Sequence, residues 1–330
     1  MSRRPGDLVL SLCRWVSSTF RDSSPGLFLP VEEPLALSPM APESSLPPCE
    51  PRSVGREELP TRGLAHPGPS GGDSLSPAAW GWGEILRHPL PGLAHSRATR
   101  FWVRFLLGVF RGRVLEVRGL SHLVDPPGPF ILALNHSQRP EALLVPALVA
   151  FLRKGRLVRF MTDWLVLLYP VVAQVVLLHG PIIVTRKEAR PRWLNRFRRR
   201  YESPVPPFDQ AAAILAEGGC VGVFPEGTMN RDRRRLLRGY GGVAQLSLST
   251  GVPVVPVGIR FPRGEGAGPI RDREPFVIEF GPPLMPPANA GRERPQVSEI
   301  RDWHAQVMQA ISRLSGKQWA PENQRTRYVA

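Results

Sequence analysis

Phe130-Ile131-Leu132-Ala133-Leu134-Asn135-His136-Ser137-Gln138-Arg139-Pro140-Glu141 holds the junction that decides the fold. Its first five residues are apolar, of strand length, and bounded upstream by Pro126, Pro127 and Pro129. A second apolar run, Ala142 to Leu152, is long enough for a helix. His136 therefore sits where a strand ends and a helix begins. Glu141 falls in the first helical turn, where the helix dipole favours a carboxylate. From there it can accept a hydrogen bond from His136. An imidazole with an acid that fixes its tautomer is the minimum for a general base. The plainer alternative is an Asn-His pair that only caps a helix.

Outward from this junction, strand-like and helix-like segments alternate. Val114–Arg118, Leu157–Met161, Ile182–Val184, Cys220–Phe224, Val254–Ile259 and Phe276–Phe280 are predicted strands. Helices are expected over Asp209–Glu217, ended by Gly218-Gly219, and over Leu236–Thr250, stopped by Gly251. Ser298–Leu314 reads as an amphipathic helix with Ser298 as its cap. The two prolines of Val252-Pro253-Val254-Val255-Pro256-Val257 predict an edge or irregular strand. The alternation argues an α/β fold, a single domain over residues 114–315 with a central, mostly buried sheet flanked by helices.

The flanks differ in character. Residues 1–77 are rich in Pro, Ser, Gly and charge, lack periodicity, and are expected to be disordered and dispensable. Residues 78–113 form a basic, aromatic segment, in which Arg97 to Arg113 reads as a helix with arginines at both ends. Such a helix can lie in a membrane interface or serve as a core helix with a solvated basic edge. Residues 316–330 read as a tail.

The 330-residue chain is 42% hydrophobic, enough for a core, and its net charge of +15 calls for an anionic partner. Cys13, Cys49 and Cys220 lack metal-ligand spacing, which argues against a metal site or a disulfide framework. No uninterrupted run of 18 apolar residues exists; the nearest, Trp164 to Leu178, is broken by Pro170 and Gln174. Leu8 to Cys13 is too short for a signal-peptide core, though the Arg- and Ser-rich start has the look of a transit peptide.

Three further stretches bear on chemistry. Phe224-Pro225-Glu226-Gly227-Thr228-Met229-Asn230-Arg231 follows a strand and runs into Arg233, Arg234 and Arg235. A Pro/Gly turn there presents backbone N–H groups, hydroxyl and amide donors, and charge, suited to a phosphate or an oxyanion; a solvated surface turn is the alternative. Gly180-Pro181-Ile182-Ile183-Val184-Thr185-Arg186 delivers one arginine to a strand end, a bidentate phosphate ligand or a lone surface charge. Arg192 to Tyr201 interleaves arginines with aromatics, which suits nucleic acid, but no nucleic-acid fold surrounds it. Nucleic acid is therefore not the expected partner.

Taken together and in order, Asn135–Glu141, Gly180–Arg186, Phe224–Arg231 and Val252–Val257 resemble the four boxes of the glycerophospholipid acyltransferases typified by 1-acylglycerol-3-phosphate acyltransferase. The resemblance spans about residues 100 to 285. Glu141 stands where that family usually has Asp, and Met229 where it usually has Arg. The resemblance implies that His136 is the general base on an acceptor hydroxyl and that Glu141 orients it. Arg186, Glu226, Gly227 and Thr228, with Arg231 in the same box, would bind a glycerol phosphate. The acyl donor would be acyl-CoA or acyl-carrier protein as a co-substrate, with no cofactor, no metal and no acyl-enzyme. The product would be phosphatidic acid if the acceptor is 1-acyl-glycerol-3-phosphate; another lyso-lipid, such as a lyso-ornithine lipid, is the alternative. Membrane lipids are the implied partners, and a peripheral or monotopic place on the cytoplasmic membrane is expected. A non-catalytic protein that binds anionic lipid or nucleic acid is the competing reading from another class.

Overall fold

The first apolar run does become a strand, and it lies near the middle of the sheet. The computed structural model describes residues 73–124, 128–262, 268–291 and 294–322. Among them the strands are β1 (Ser74–Leu75), β2 (Val114–Arg118), β3 (Ile131–Leu134), β4 (Val158–Asp163), β5 (Ile182–Val184), β6 (Cys220–Val223), β7 (Val254–Arg260) and β8 (Phe276–Phe280). They form one sheet in the order β1-β2-β8-β7-β3-β6-β4-β5. From β7 to β5 every pairing is parallel, whereas β7 and β8 are antiparallel. Five parallel strands therefore end at one edge of the sheet, the edge that carries His136.

The helices are α1 (Trp82–Arg87), α2 (Arg97–Phe110), α3 (Ser121–Val124), α4 (Glu141–Leu152), α5 (Pro170–Leu177), α6 (Pro207–Ala216), α7 (Gly242–Thr250) and α8 (Val297–Ser315). Strand alternation sorts them into two layers. Leu132 and Leu134 of β3 join a core with Val103 and Leu107 of α2 and Leu144, Leu148 and Phe151 of α4. Ile131 and Ala133 face the other way, onto Leu215 of α6, Leu246 of α7 and Trp303, Val307 and Ile311 of α8. Burying each of these large side chains stabilises the layer by about 1.5–3 kcal/mol. Helix α8 presses so closely on β7 that a Cβ on Gly258 would lie 2.2 Å from the Leu314 carbonyl carbon.

Several expectations are corrected. The segment Val252–Val257 is not at an edge: β7 lies between β3 and β8, and Val254 to Ile259 are buried. Pro256 fits because its carbonyl accepts from Gly281 N, beyond the end of β8. The N–H and C=O of one strand residue point to the same side, so the missing donor falls where the ladder has already ended.

The helix expected from Leu236 begins only at Gly242. The intervening N–H groups are committed elsewhere: Leu236 N donates to Gln318 O, Leu237 N to Glu226 Oε2 and Tyr240 N to Pro225 O. Helix α8 is capped at Gln296, whose N–H is bound by Glu299 Oε2 at 2.8 Å, and not at Ser298.

The boundary at residue 77 falls inside the fold. Ser74 and Leu75 pair with Arg118 and Val117, and the Asp73 carboxylate accepts from Ser121 N at 2.7 Å. The rest of the segment expected to be disordered, residues 1–72, lies outside the described residues.

At the other end, residues 316–319 are not a loose tail. Gln318 forms a parallel bridge with Arg235, and Lys317 is 3% exposed. The helix within Arg97–Arg113 has a core face and an exposed aromatic face. Val103, Leu106 and Leu107 of α2 are buried, while Phe101 is 58% exposed and stacks on Phe105. Among the described residues no helix is long and apolar enough to cross a membrane.

Candidate active site

β3 ends at Leu134, and the chain turns over Asn135–Pro140 before α4 starts at Glu141. The turn brings His136 Nδ1 to 2.9 Å from Glu141 Oε2, which also accepts from Ser137 N at 2.8 Å. Glu141 is fully buried, and among the described residues its Oε1 has no hydrogen-bond partner. The Oε2 contacts a backbone N–H and an imidazole nitrogen, so the carboxylate accepts and Nδ1 carries the proton. Nε2 is then left with a lone pair, on a side chain that is 16% exposed. This is the arrangement of a general base with its orienting acid. The extra methylene of Glu141 is accommodated. The capping alternative fails, because the residue before α4 is Pro140.

The third box, Phe224–Arg231, lies beside this pair at the sheet edge. β6 and β3 are parallel neighbours, so Phe224 follows β6 as Asn135 follows β3. The Phe224 and His136 rings lie with centroids 4.5 Å apart. Gly227 N donates to Phe224 O, and Gly227 takes φ +64° with its would-be Cβ 2.7 Å from the Tyr240 ring. Only glycine suits that turn. Gly227 is exposed and Thr228 half-buried, so both are open to a ligand.

Glu226 is fully buried and does not meet a substrate. Its Oε1 accepts from His136 N at 3.4 Å; its Oε2 accepts from Asn230 Nδ2 at 2.7 Å and Leu237 N at 2.8 Å. Burial pushes its pKa up, but every hydrogen bond it accepts comes from an N–H donor. The Asn230 amide is oriented by donating to Arg235 O and accepting from Asp232 N. No acceptor faces Glu226, so it stays ionised. It ties the turn after β6 to the backbone of His136.

The predicted cationic ligands divide. Arg231 is clamped on Ile270 O at 2.8 Å and Asp272 Oδ1 at 2.7 Å, so it fastens the segment before β8 instead of offering an open fork. Arg186 is exposed just beyond β5, at the same sheet edge as His136. Three strand spacings separate it from β3, roughly 14 Å. Its neighbour Lys187 was missed by sequence reasoning. Lys187 Nζ donates to Gly227 O at 2.9 Å and lies 3.2 Å from Asp163 Oδ2. It therefore brings positive charge onto the exposed turn. Among the described residues no group of three His, Cys, Asp or Glu side chains is placed to hold a metal ion.

A small apolar hollow of about 20 Å³ lies beside the start of α4. Ala142, Leu143 and Pro146 of α4, Phe160 of β4 and Val175 and Val176 of α5 line it. His179 closes it, with Nδ1 donating to Val175 O at 2.9 Å and Nε2 unpartnered.

Three comparisons bear on this site. The family model Acyltransferase matches residues 114–260, which contain β2 to β7 and all four boxes. A comparison with curated proteins gives no match. Among solved structures, the 1-acyl-sn-glycerophosphate (LPA) acyltransferase PlsC from Thermotoga maritima is similar at a TM-score of 0.43 and 18% identity, over 67% of this chain and 80% of that one.

Proposed function

We propose that the chain, whose residues 114–260 match the Acyltransferase family model, is an O-acyltransferase that moves a fatty acyl group from a thioester to the hydroxyl of a lysophospholipid. The observation that carries this is the His136–Glu141 pair opposite the Gly227 turn, at the edge where five parallel strands end. His136 Nε2 takes the proton of the acceptor hydroxyl as its oxygen attacks the thioester carbonyl. The C–O bond forms, the C–S bond breaks, and the proton passes on to the leaving thiolate. Glu141 steadies the imidazolium in between. No box places a Ser or Cys as nucleophile, so the transfer is direct.

A 1-acyl-glycerol-3-phosphate acceptor, giving phosphatidic acid, is the reading the cations favour. Thr228, Arg186 and Lys187 lie on the exposed side of the edge, where a phosphate would sit. Leu143, Phe160 and Val176 put apolar surface near the base for an acyl chain to lie on. Acyl-CoA or acyl-carrier protein is the donor. Phe101, Trp102 and Phe105 of α2, beside Arg97 and Arg100, support a peripheral place on an anionic, cytoplasmic membrane face.

The test is thioester release by the purified protein against a panel of lyso-lipids. Turnover should be highest with the phosphate monoester acceptor. Turnover with a zwitterionic or amino lyso-lipid alone would reassign the acceptor. The chain should co-sediment with anionic vesicles and be only partly released by high salt; full recovery in the supernatant at low salt would overturn the membrane placement.

A further inference from the structure

One ionisable group sits behind the site that neither the boxes nor the proposed chemistry uses. Helix α8 ends at Gly316, whose φ of +72° turns the chain back under the sheet edge. Gln318 is then fixed by hydrogen bonds to Arg234 O and from Leu236 N, at 2.7 and 2.9 Å. Between them Lys317 is directed inward, 3% exposed. Its Nζ donates to Ser137 Oγ at 2.8 Å. Ser137 N in turn binds Glu141 Oε2, the atom that holds His136. Around the ammonium lie Glu226, Asp232 and Arg233 from the turn after β6 and Glu141 from α4. Arg260 of β7 is turned away, to Leu314 O and Glu279.

We propose that Lys317 is a positioning residue for acyl transfer: its ammonium balances the buried carboxylates of Glu141 and Glu226 and, through Ser137, holds the turn on which Glu141 meets His136. Two buried carboxylates beside one base repel each other unless a counterion balances them. With Lys317 in place, Glu141, Glu226 and Lys317 sum to one negative charge. When His136 accepts the hydroxyl proton, the four groups sum to zero. The buried set is thus poised for the charge that forms during the reaction. Burial pushes the Lys317 ammonium below the usual lysine range, against the pull of Glu226, Glu141 and Asp232. As pH rises, Lys317 therefore loses its proton ahead of an ordinary lysine, and the rate falls with it.

This inference rests on His136 as the base, so His136→Ala is measured alongside. In Lys317→Met, kcat should fall roughly 10- to 100-fold, with the KM of thioester and acceptor nearly unchanged. Lys317→Arg keeps a charge that does not titrate in this range. It should retain most of the rate and move the alkaline limb of the kcat–pH profile upward. If Lys317→Met does not fold, that limb decides alone. A folded Lys317→Met with wild-type kcat, or an alkaline limb unchanged in Lys317→Arg, overturns the proposal. Turnover surviving in folded His136→Ala would instead overturn the catalytic reading beneath it.

Discussion

The side-chain amide of Asn135 pairs with the backbone of Ile259, donating to its carbonyl at 3.0 Å and accepting from its N–H at 2.7 Å. Both residues are buried. The amide continues the β3–β7 ladder one step past the last strand pair and fixes the backbone that carries His136. Asn135→Ala leaves a buried donor and a buried acceptor without partners, at about 1–3 kcal/mol each. Its Tm should fall by roughly 5–15 °C. Asn135→Asp keeps the acceptor but sets a buried carboxylate oxygen against the Ile259 carbonyl, and should be at least as destabilising. Calorimetry checks both; an unchanged Tm in Asn135→Ala would refute the role.

His136→Ala should lower turnover by about 10²–10⁴-fold, the usual worth of a general base. Glu141→Gln keeps the volume but lacks the charge that holds Nδ1–H, and should be slowed severely. Glu141→Asp should retain much of the rate if the turn gives by the length of one methylene. The double variant should be little worse than His136→Ala, because the two residues act as one unit. Thioester release by variants with wild-type circular dichroism measures all four.

Lys187 brings positive charge onto the exposed Gly227–Thr228 turn, and Arg186 precedes it at the same sheet edge. Arg186→Lys loses the bidentate fork and should weaken acceptor use by about 1–3 kcal/mol, with the thioester KM little changed. Lys187→Met also removes the contacts to Gly227 O and Asp163. It should raise the acceptor KM, with a smaller effect on kcat. An effect of either change on the thioester alone would reassign that cation to the donor.

His179 links stability to pH. Burial pushes its imidazole below the ordinary value, and no group among the described residues partners its Nε2. The unfolded chain takes up this proton near pH 6.5, while the folded chain resists it until lower pH. The stability from neutral His179 is therefore complete above about pH 6.5 and is lost as pH falls toward the folded value. Urea unfolding at pH 7.5 and pH 5.5 should show a drop that is smaller in His179→Gln. An equal drop in both proteins would locate the pH sensitivity elsewhere.

The sequence by itself determined the local geometry of the site. His136 and Glu141 are five residues apart across one strand-to-helix junction, so their meeting follows from backbone periodicity alone. The apolar runs fixed the alternation of strands and helices, and the strand alternation of β3 fixed which side chains face each helical layer. What the tertiary structure alone decided lies at long range. Pro256 reads as an edge residue until β8 is seen to end beside it. Arg231 and Glu226 read as ligands until Asp272 and the Asn230, Leu237 and His136 groups are found against them. Leu236 to Tyr240 has helical composition, but its N–H groups are claimed by Gln318, Glu226 and Pro225. Lys317 lies 180 residues from the serine it binds, in a stretch with the composition of a tail. Propensity and periodicity act over a few residues, whereas a buried charge is placed by whatever partners the folded chain brings to it.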